Sequence, residues 1–137
     1  RSKRRNLPLC LALLDIDHFK QINDTFNHSI GDKVLKRVAD VISHHCREED
    51  LVARWGGEEF VILLPNCDTQ AAREICERIR LAVSETECSA IATGISLTIS
   101  IGVTAYHSDD TLDKLISRAD KALYAAKQAG RNHLTLI

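Results

Sequence analysis

The sequence lacks an excess of charge of either sign. Its 137 residues carry 18 lysines and arginines against 19 aspartates and glutamates, a formal net charge of -1. A protein that holds the backbone of a long nucleic acid needs a strong positive field to release counterions, and this composition does not supply one. We therefore expect no nucleic acid polymer as a partner, and we expect any bound nucleotide to be small.

The cysteines lack the C-x-x-C spacing of zinc and redox motifs. Five is also an odd number, and we expect them to be reduced packing residues of a cytoplasmic protein. One local cluster contains metal-ligand residue types, His44, His45 and Cys46. Because neighbours on a helix point in different directions, this cluster does not predict a metal site. The five cysteines are Cys10, Cys46, Cys67, Cys76 and Cys88.

The sequence also lacks a long apolar run, an internal repeat and a low-complexity tract. The basic start, from Arg1 to Arg5, is not followed by the apolar segment of a signal peptide or a membrane span, and we interpret it as a solvated leader. We expect no membrane contact by this part of the protein. The length corresponds to one core, so we predict a single domain over residues 1–137.

Hydrophobic spacing predicts an alternation of strands and helices. The continuous apolar run from Leu9 to Leu14 is typical of a strand buried on both faces, and Asp15 and Asp17 follow at its carboxyl end. Helical spacing recurs in three stretches: residues 31–46, residues 72–83 with Asp68 or Thr69 as the N-cap, and residues 112–126 with Gly130 as the C-cap.

Three further segments favour strands. The apolar residues 51–54 and 60–64 flank Gly56-Gly57, which indicates a β-hairpin. Strict alternation over residues 97–104 predicts a half-buried strand, and residues 133–137 predict a closing strand. The order β-α-β-β-α-β-α-β indicates an α/β sandwich, with helices packed on a sheet that contains one antiparallel hairpin.

Two acidic pairs are candidates for chemistry. Asp15 and Asp17 end the first strand, and Glu58 and Glu59 lie in the hairpin turn. If the strands are neighbours, the carboxylates converge and need a cation, and magnesium prefers such oxygen ligands. The alternative is that Asp17 caps the next helix and the glutamates are solvated turn residues. The pattern alone leaves both interpretations open.

Two other segments suit a phosphate. His18-Phe19-Lys20 offers backbone N–H groups at a helix start together with a lysine, and Lys127 and Arg131 add cations around Gly130. The glycine pair Gly56-Gly57 permits a tight turn and the close approach of a ligand. Alternatively, Lys127 and Arg131 are ordinary cations at a helix end.

These residues stand in blocks that resemble the GGDEF domains, the catalytic domains of diguanylate cyclases. The blocks follow the family's order and spacing over nearly the whole chain. They are Asp15 to Lys20, Asn23 to His28 with Gly31-Asp32, Arg54 to Phe60, Ser100 to Val103, Arg118 to Asp120, Ala125 to Lys127, and Gly130 to Asn132.

The resemblance implies a fold and an activity. The fold is the ferredoxin-like, palm-type nucleotide cyclase sandwich of the α+β kind, with a mixed sheet and a hairpin that carries Gly-Gly-Glu-Glu-Phe. The activity is the condensation of two GTP molecules into cyclic di-GMP and two pyrophosphates, a reaction of bacterial second-messenger signalling. One domain presents one GTP, so catalysis needs a homodimer. The alternatives are a non-catalytic module that binds GTP or cyclic di-GMP, and another palm-type nucleotidyl transferase.

The resemblance also implies residue roles. Magnesium, with manganese as an alternative, is bound by Asp15, the carbonyl of Ile16, and Glu58. Guanine is bound by Asn23 and Asp32, with His28 in the same block. Phosphates are bound by Lys20, Lys127 and Arg131, and by the backbone at His18 and Phe19. The catalytic group comprises Glu58, Glu59 and Lys20, with Glu59 as a second metal ligand or a base.

One further block concerns regulation. Arg47 to Asp50 fits the family's R-x-x-D product-binding site, and Arg78 resembles an additional arginine of that inhibitory site. Cyclic di-GMP is therefore expected as product and as feedback ligand. Two departures stand out. Asn27 replaces a glycine, and its tolerance of left-handed backbone should limit the damage. The family's opening helix is absent, so we expect the domain to belong to a larger protein.

Overall fold

A computed structural model of the chain describes residues 7–137, and the predicted basic leader at Arg1 to Arg5 lies outside the described residues. Five strands form one mixed sheet in the order β2-β3-β1-β4-β5. The strands are β1 (Leu9–Ile16), β2 (Leu51–Arg54), β3 (Glu59–Pro65), β4 (Ile99–Ala105) and β5 (Leu134–Leu136). The helices are α1 (Phe19–Thr25), α2 (His28–His45), α3 (Thr69–Ser84) and α4 (Leu112–Gln128).

The central strand β1 is buried on both faces, as its continuous apolar run predicts. It pairs antiparallel with both β3 and β4, while β4 and β5 form the parallel pair of the sheet. Helices α2 and α3 enclose the larger core on one face of β1. On the other face Leu11 and Leu13 pack against Leu115, Ala119 and Leu123 of α4. The mixed α+β sandwich is therefore confirmed.

Strand β4 is not half-buried, as its alternation predicts, but is buried on both faces. Ser100 and Thr104, on the face predicted to be exposed, are fully enclosed. The reason is the close approach of α4, since a Cβ atom at Gly102 would lie 2.2 Å from the Leu123 amide nitrogen. The strand also begins at Ile99 rather than at Leu97. Small polar residues on this face thus mark a helix contact, which the alternation does not distinguish from solvent.

A short helix, α1, is missing from the predicted order. It packs against α2 at Gly31, where an added Cβ would lie 1.9 Å from the Asn23 Oδ1 atom. Helix α2 begins at His28, and Asn27 caps it by accepting a hydrogen bond from the Ile30 N–H at 2.9 Å. Asn27 has extended backbone, so the expectation of a left-handed residue here is wrong. Capping chemistry explains the asparagine instead.

The hairpin of β2 and β3 carries the acidic turn to the end of β1. Only Glu58 lies in the turn, because Glu59 already belongs to β3 and stands opposite Asp15 in the β1–β3 register. The Asp68 side chain is the N-cap of α3, and it accepts from Ala71 N–H at 2.9 Å. Within residues 7–137, no helix has both the length and the apolar composition needed to cross a bilayer.

Candidate functional site

Two adjoining cavities open where β1 ends and the hairpin turns. The inner cavity has a volume of about 170 Å³, and the outer cavity has a volume of about 390 Å³. They share Phe19, Lys20 and Glu58 in their walls. The inner cavity is further lined by Asp15, Ile16, Asp17, His18, Lys127 and Arg131, and the outer by Asn23, His28, Asp32, Leu35, Arg54 and Gly57. The fold therefore brings nearly all of the predicted ligand-binding residues together.

Each cavity contains a residue with an unpaired buried oxygen. Among the side chains of residues 7–137, only Asp15 Oδ1 and Asn23 Oδ1 are buried polar atoms without a hydrogen-bond partner in the protein. A buried acceptor without a partner costs on the order of 1–3 kcal/mol, so such atoms commonly await a ligand. Asp15 lines the inner cavity and Asn23 lines the outer one, so each cavity has one such residue in its wall.

The acids in and beside the inner cavity lie close to one another. The other Asp15 oxygen, Oδ2, is paired with the Lys127 ammonium. Burial, followed by the negative charge of Asp15, raises the pKa of both Glu58 and Glu59. Lys127 partly offsets both shifts. Carboxylates with raised pKa values around one point indicate a place where an added cation is favourable.

The donor set fits a hard divalent cation. Asp15 offers its unpaired oxygen, and Glu58 is held nearby because the Ile16 N–H donates to the Glu58 carbonyl at 3.3 Å. The described residues contain no group of three or more acidic, histidine or cysteine side chains poised as a complete metal cage. Magnesium is commonly held by one or two carboxylates plus water and substrate phosphates, so two carboxylates suffice for it.

Asp17 is neither a helix cap nor a solvated residue. Its carboxylate accepts from the hydroxyls of Thr98 and Ser100, each at 2.7 Å, and from the Asn132 N–H at 2.9 Å. The N-cap position of α1 is His18, which has no side-chain capping bond. The alternative interpretation of Asp17 as a cap is therefore wrong. Asp17 instead joins β1, the start of β4 and the turn after α4.

The glycine pair has no unusual backbone conformation in this structure. Neither Gly56 nor Gly57 has a positive φ, since the positive-φ glycines of the described chain are Gly94 and Gly130. A Cβ at Gly57 would meet nothing within 4 Å, and Gly57 lines the outer cavity. The turn between Arg54 and Glu59 is therefore tight, as predicted, without a left-handed glycine, and the open space beside Gly57 agrees with the predicted access for a ligand.

Arg54 is a site residue that pattern reasoning did not single out. Its guanidinium donates to the carbonyls of Gly56 at 3.3 Å and Gly57 at 2.8 Å, and it lines the outer cavity. It therefore ties the turn to β2. The available signal was its place immediately before the Trp-Gly-Gly segment, although no periodicity marks it.

Glu59 is the predicted catalytic residue that lines neither cavity. It lies on the α4 side of β3, where Asp120 adds a further negative charge that raises its pKa. Its role as a second metal ligand or base remains a prediction. By contrast, Lys20 is exposed and lines both cavities, while His18 enters α1 with left-handed backbone (φ 58°).

A second cluster lies at the other end of β3. The Arg47 guanidinium binds the buried Asp50 carboxylate with its NH2 group at 2.7 Å, and it also donates to the Pro65 carbonyl at 2.6 Å. Arg78 on α3 donates to the His45 carbonyl at 3.3 Å, beside the same loop. The six residue steps of β3 separate this cluster from the Glu58 turn by about 20 Å.

Comparison with known proteins supplies the family. A sequence profile described as "Diguanylate cyclase, GGDEF domain" matches residues 1–133. The chain is 46% identical over 134 residues to the diguanylate cyclase DgcP of Pseudomonas aeruginosa, covering 98% of this chain and 20% of that protein. The chain thus spans about a fifth of the length of this curated relative.

Solved structures agree with this match. Diguanylate cyclase SiaD of Pseudomonas aeruginosa, in complex with its activator SiaC, superposes with a TM-score of 0.92 at 41% identity, over 100% of this chain and 53% of that one. The GGDEF domain of DgcB from Caulobacter crescentus, in complex with c-di-GMP, gives a TM-score of 0.88 at 38% identity, over 94% and 77% of the two chains.

Proposed function

The chain belongs to the GGDEF family of diguanylate cyclases, and from that premise we propose that it condenses two GTP molecules into cyclic di-GMP. The observation that carries the proposal is that Asp15 and Asn23, which line the inner and the outer cavity, each have a buried Oδ1 atom without a hydrogen-bond partner in the protein. Cyclases of this family depend on a metal ion, and we propose magnesium here because oxygen ligands surround the inner cavity.

The two cavities suit the two ends of one GTP. Asp32 and Asn23 in the outer cavity offer a carboxylate and an amide, which match the N–H donors and acceptors along the guanine edge. Lys20, Lys127 and Arg131 line the inner cavity and supply positive charge for the phosphates. Phe19, Lys20 and Glu58 belong to both cavities, so base and phosphates would occupy one continuous site.

Asp15 and Glu58, with the carbonyl of Ile16, would hold the magnesium ion. When bound, it neutralises charge on the triphosphate and acidifies a coordinated hydroxyl. Lys20 and Arg131 would orient the triphosphate, while the walls formed by α1 and the hairpin hold the nucleoside. The ribose 3′-hydroxyl of one GTP would lose its proton to a base, for which Glu59 is the candidate, and its oxygen would attack the α-phosphorus of the other GTP. The new O–P bond forms as the bond between that phosphorus and the α,β-bridging oxygen breaks, and pyrophosphate leaves. The same exchange in the opposite direction closes the ring.

Each protomer presents one nucleotide in this scheme, so two copies must meet with their hairpins facing the shared ligands. A second cluster comprises Arg47, Asp50 and Arg78. It lies about 20 Å from the Glu58 turn, a distance that corresponds to the six residue steps along β3. We propose that it binds the product and slows this encounter. Arginine guanidinium groups are suited to the phosphates and guanine edges of cyclic di-GMP.

The test is to incubate the chain with GTP and magnesium chloride and to follow cyclic di-GMP by chromatography. The initial rate should rise with the square of protein concentration, because two copies form one active site. A version with a dimerising coiled coil fused at its N-terminus should be active at lower concentration. A fused chain that binds cyclic di-GMP but makes none would support the non-catalytic binding module instead.

A further inference from the structure

The turn after α4 holds its backbone in an unusual conformation. Gly130, Arg131 and Asn132 have φ values of 115°, 62° and 48° in succession. Residues 7–137 contain only four non-glycine residues with positive φ, and two of them are adjacent here. Side chains disfavour this region, so such a pair persists only where the surrounding structure imposes it. Arg131 is one of the pair, and it lines the inner cavity.

One restraint on this turn comes from Asp17, at the end of β1. Asp17 is buried, with 6% of its surface exposed, and its Oδ2 atom accepts from the Asn132 N–H at 2.9 Å. The same carboxylate is fixed by hydroxyls from Thr98 and Ser100. Asn132 is therefore bound to an acceptor that cannot easily reorient, because β4 holds it from the other side.

A further restraint comes from α3, in addition to the hydrogen bond from the Arg131 N–H to the Ala126 carbonyl at 3.2 Å, which closes the end of α4. The NH1 group of Arg80 donates to the Asn132 carbonyl at 3.1 Å and to the Asn132 side-chain Oδ1 at 2.7 Å. Glu77, one turn earlier on α3, forms an ion pair with Arg80 and thereby orients the guanidinium. Arg80 is not among the residues that line the inner cavity. Its contacts with the turn end at Asn132, next to Arg131.

We propose that Arg80 is a positioning residue for Arg131. Arg80 and Asp17 hold Asn132 from two sides, and this keeps Arg131 in the left-handed conformation that presents its guanidinium to the phosphates of GTP. The inference rests on the proposed function, since Arg131 must bind phosphate for its position to matter. A guanidinium already placed before binding loses less conformational entropy when the nucleotide arrives.

The test uses Arg80→Lys, which keeps the positive charge but loses the planar guanidinium whose Nε atom pairs with Glu77 while its Nη1 atom reaches Asn132. Binding of 3′-deoxy-GTP with magnesium is measured by calorimetry, because this analogue lacks the attacking hydroxyl. We expect Arg80→Lys to weaken binding about 5-fold to 10-fold, about the size of one ordinary hydrogen bond. In chains that already carry Arg131→Ala, adding Arg80→Lys should cause no further loss.

The matched control is Arg37→Lys on α2, whose arginine donates to the Glu87 carbonyl at 2.9 Å outside the cavities. This variant should bind the analogue as the unmodified chain does. Equal binding by Arg80→Lys, or an undiminished effect of it in the Arg131→Ala chain, would overturn the positioning role. Failure of the unmodified chain to bind the analogue would instead contradict the proposed function. Circular dichroism at the titration temperature ensures that folded variants are compared.

Discussion

Lys127 forms an ion pair with Asp15 across 112 residues of sequence, at the floor of the inner cavity. The Asp15 side chain is 9% exposed, and Glu58 and Glu59 stand close enough for Asp15 to raise their pKa values. In the absence of a metal ion, the lysine is thus the nearest compensation for three carboxylates. This relationship links the stability of the domain to the occupancy of its site.

Replacing Lys127 by methionine should therefore destabilise the protein when no metal is present. We expect the free energy of unfolding to fall by about 1–3 kcal/mol, because a largely buried carboxylate loses its cation. Urea unfolding in a chelating buffer measures this loss of stability. The difference in free energy of unfolding between the variant and the unmodified chain should become smaller when magnesium is added. Lys121→Met, an exposed position on the same helix, is the control. Equal stability of the Lys127 and Lys121 variants would contradict the prediction.

Glu58→Gln should abolish the formation of cyclic di-GMP while the fold is retained. Because the pKa of Glu58 is raised by burial and by the negative charge of Asp15, neutralising it removes repulsion. The melting temperature without metal should accordingly stay the same or rise. A chromatographic assay checks the loss of product, and thermal melts check that the melting temperature does not fall. The control is Glu85→Gln, at an exposed position. Undiminished product formation would refute the assigned role of Glu58.

Arg47→Ala and Arg78→Ala should both relieve product inhibition, but with different effects on stability. Arg47 compensates the Asp50 carboxylate, whose side chain has no exposed surface, so its loss should cost roughly 2–4 kcal/mol. Arg78 is exposed and makes a single long bond, at 3.3 Å, to the His45 carbonyl, so its loss should cost little.

Inhibition by added cyclic di-GMP and urea unfolding separate these two effects. Arg73→Ala, another exposed arginine of α3, is the control and should leave both quantities unchanged. If the Arg78 variant is inhibited as strongly as the Arg73 variant, the product-binding assignment of this cluster is wrong.

Asp110→Asn should remove part of the stability at neutral pH and a smaller part at pH 3. Hydrogen bonds from Arg118, and then from the His107 N–H, hold the pKa of Asp110 well below its usual value. A lowered folded-state pKa stabilises the protein above the unfolded value near 3.8, and this contribution is lost as the pH falls toward the folded value. Urea unfolding at pH 7 and pH 3 should show the variant's deficit shrinking in acid. The exposed Asp109→Asn is the control, and a deficit independent of pH would contradict the assignment.

The sequence by itself was sufficient for every element except the short helix α1, and for most of the site. Apolar spacing within one element is a local property, so β1, the hairpin and the three long helices could be predicted from it. The blocks around Asp15, Asn23, Glu58 and Arg131 likewise carried the resemblance, and the fold gathers them around two cavities.

Only the tertiary structure decided the contacts between distant elements. Periodicity along β4 could not distinguish solvent from α4, which approaches Gly102 and encloses Ser100. Arg80 lies 52 residues before Asn132, and Lys127 lies 112 residues after Asp15. Such pairs depend on the order of the strands in the sheet and on the packing of the helices against it. Hydrophobic spacing within a single element specifies neither. The sequence therefore determined that these charged residues are present, whereas the packing of strands and helices determined which of them lie next to one another.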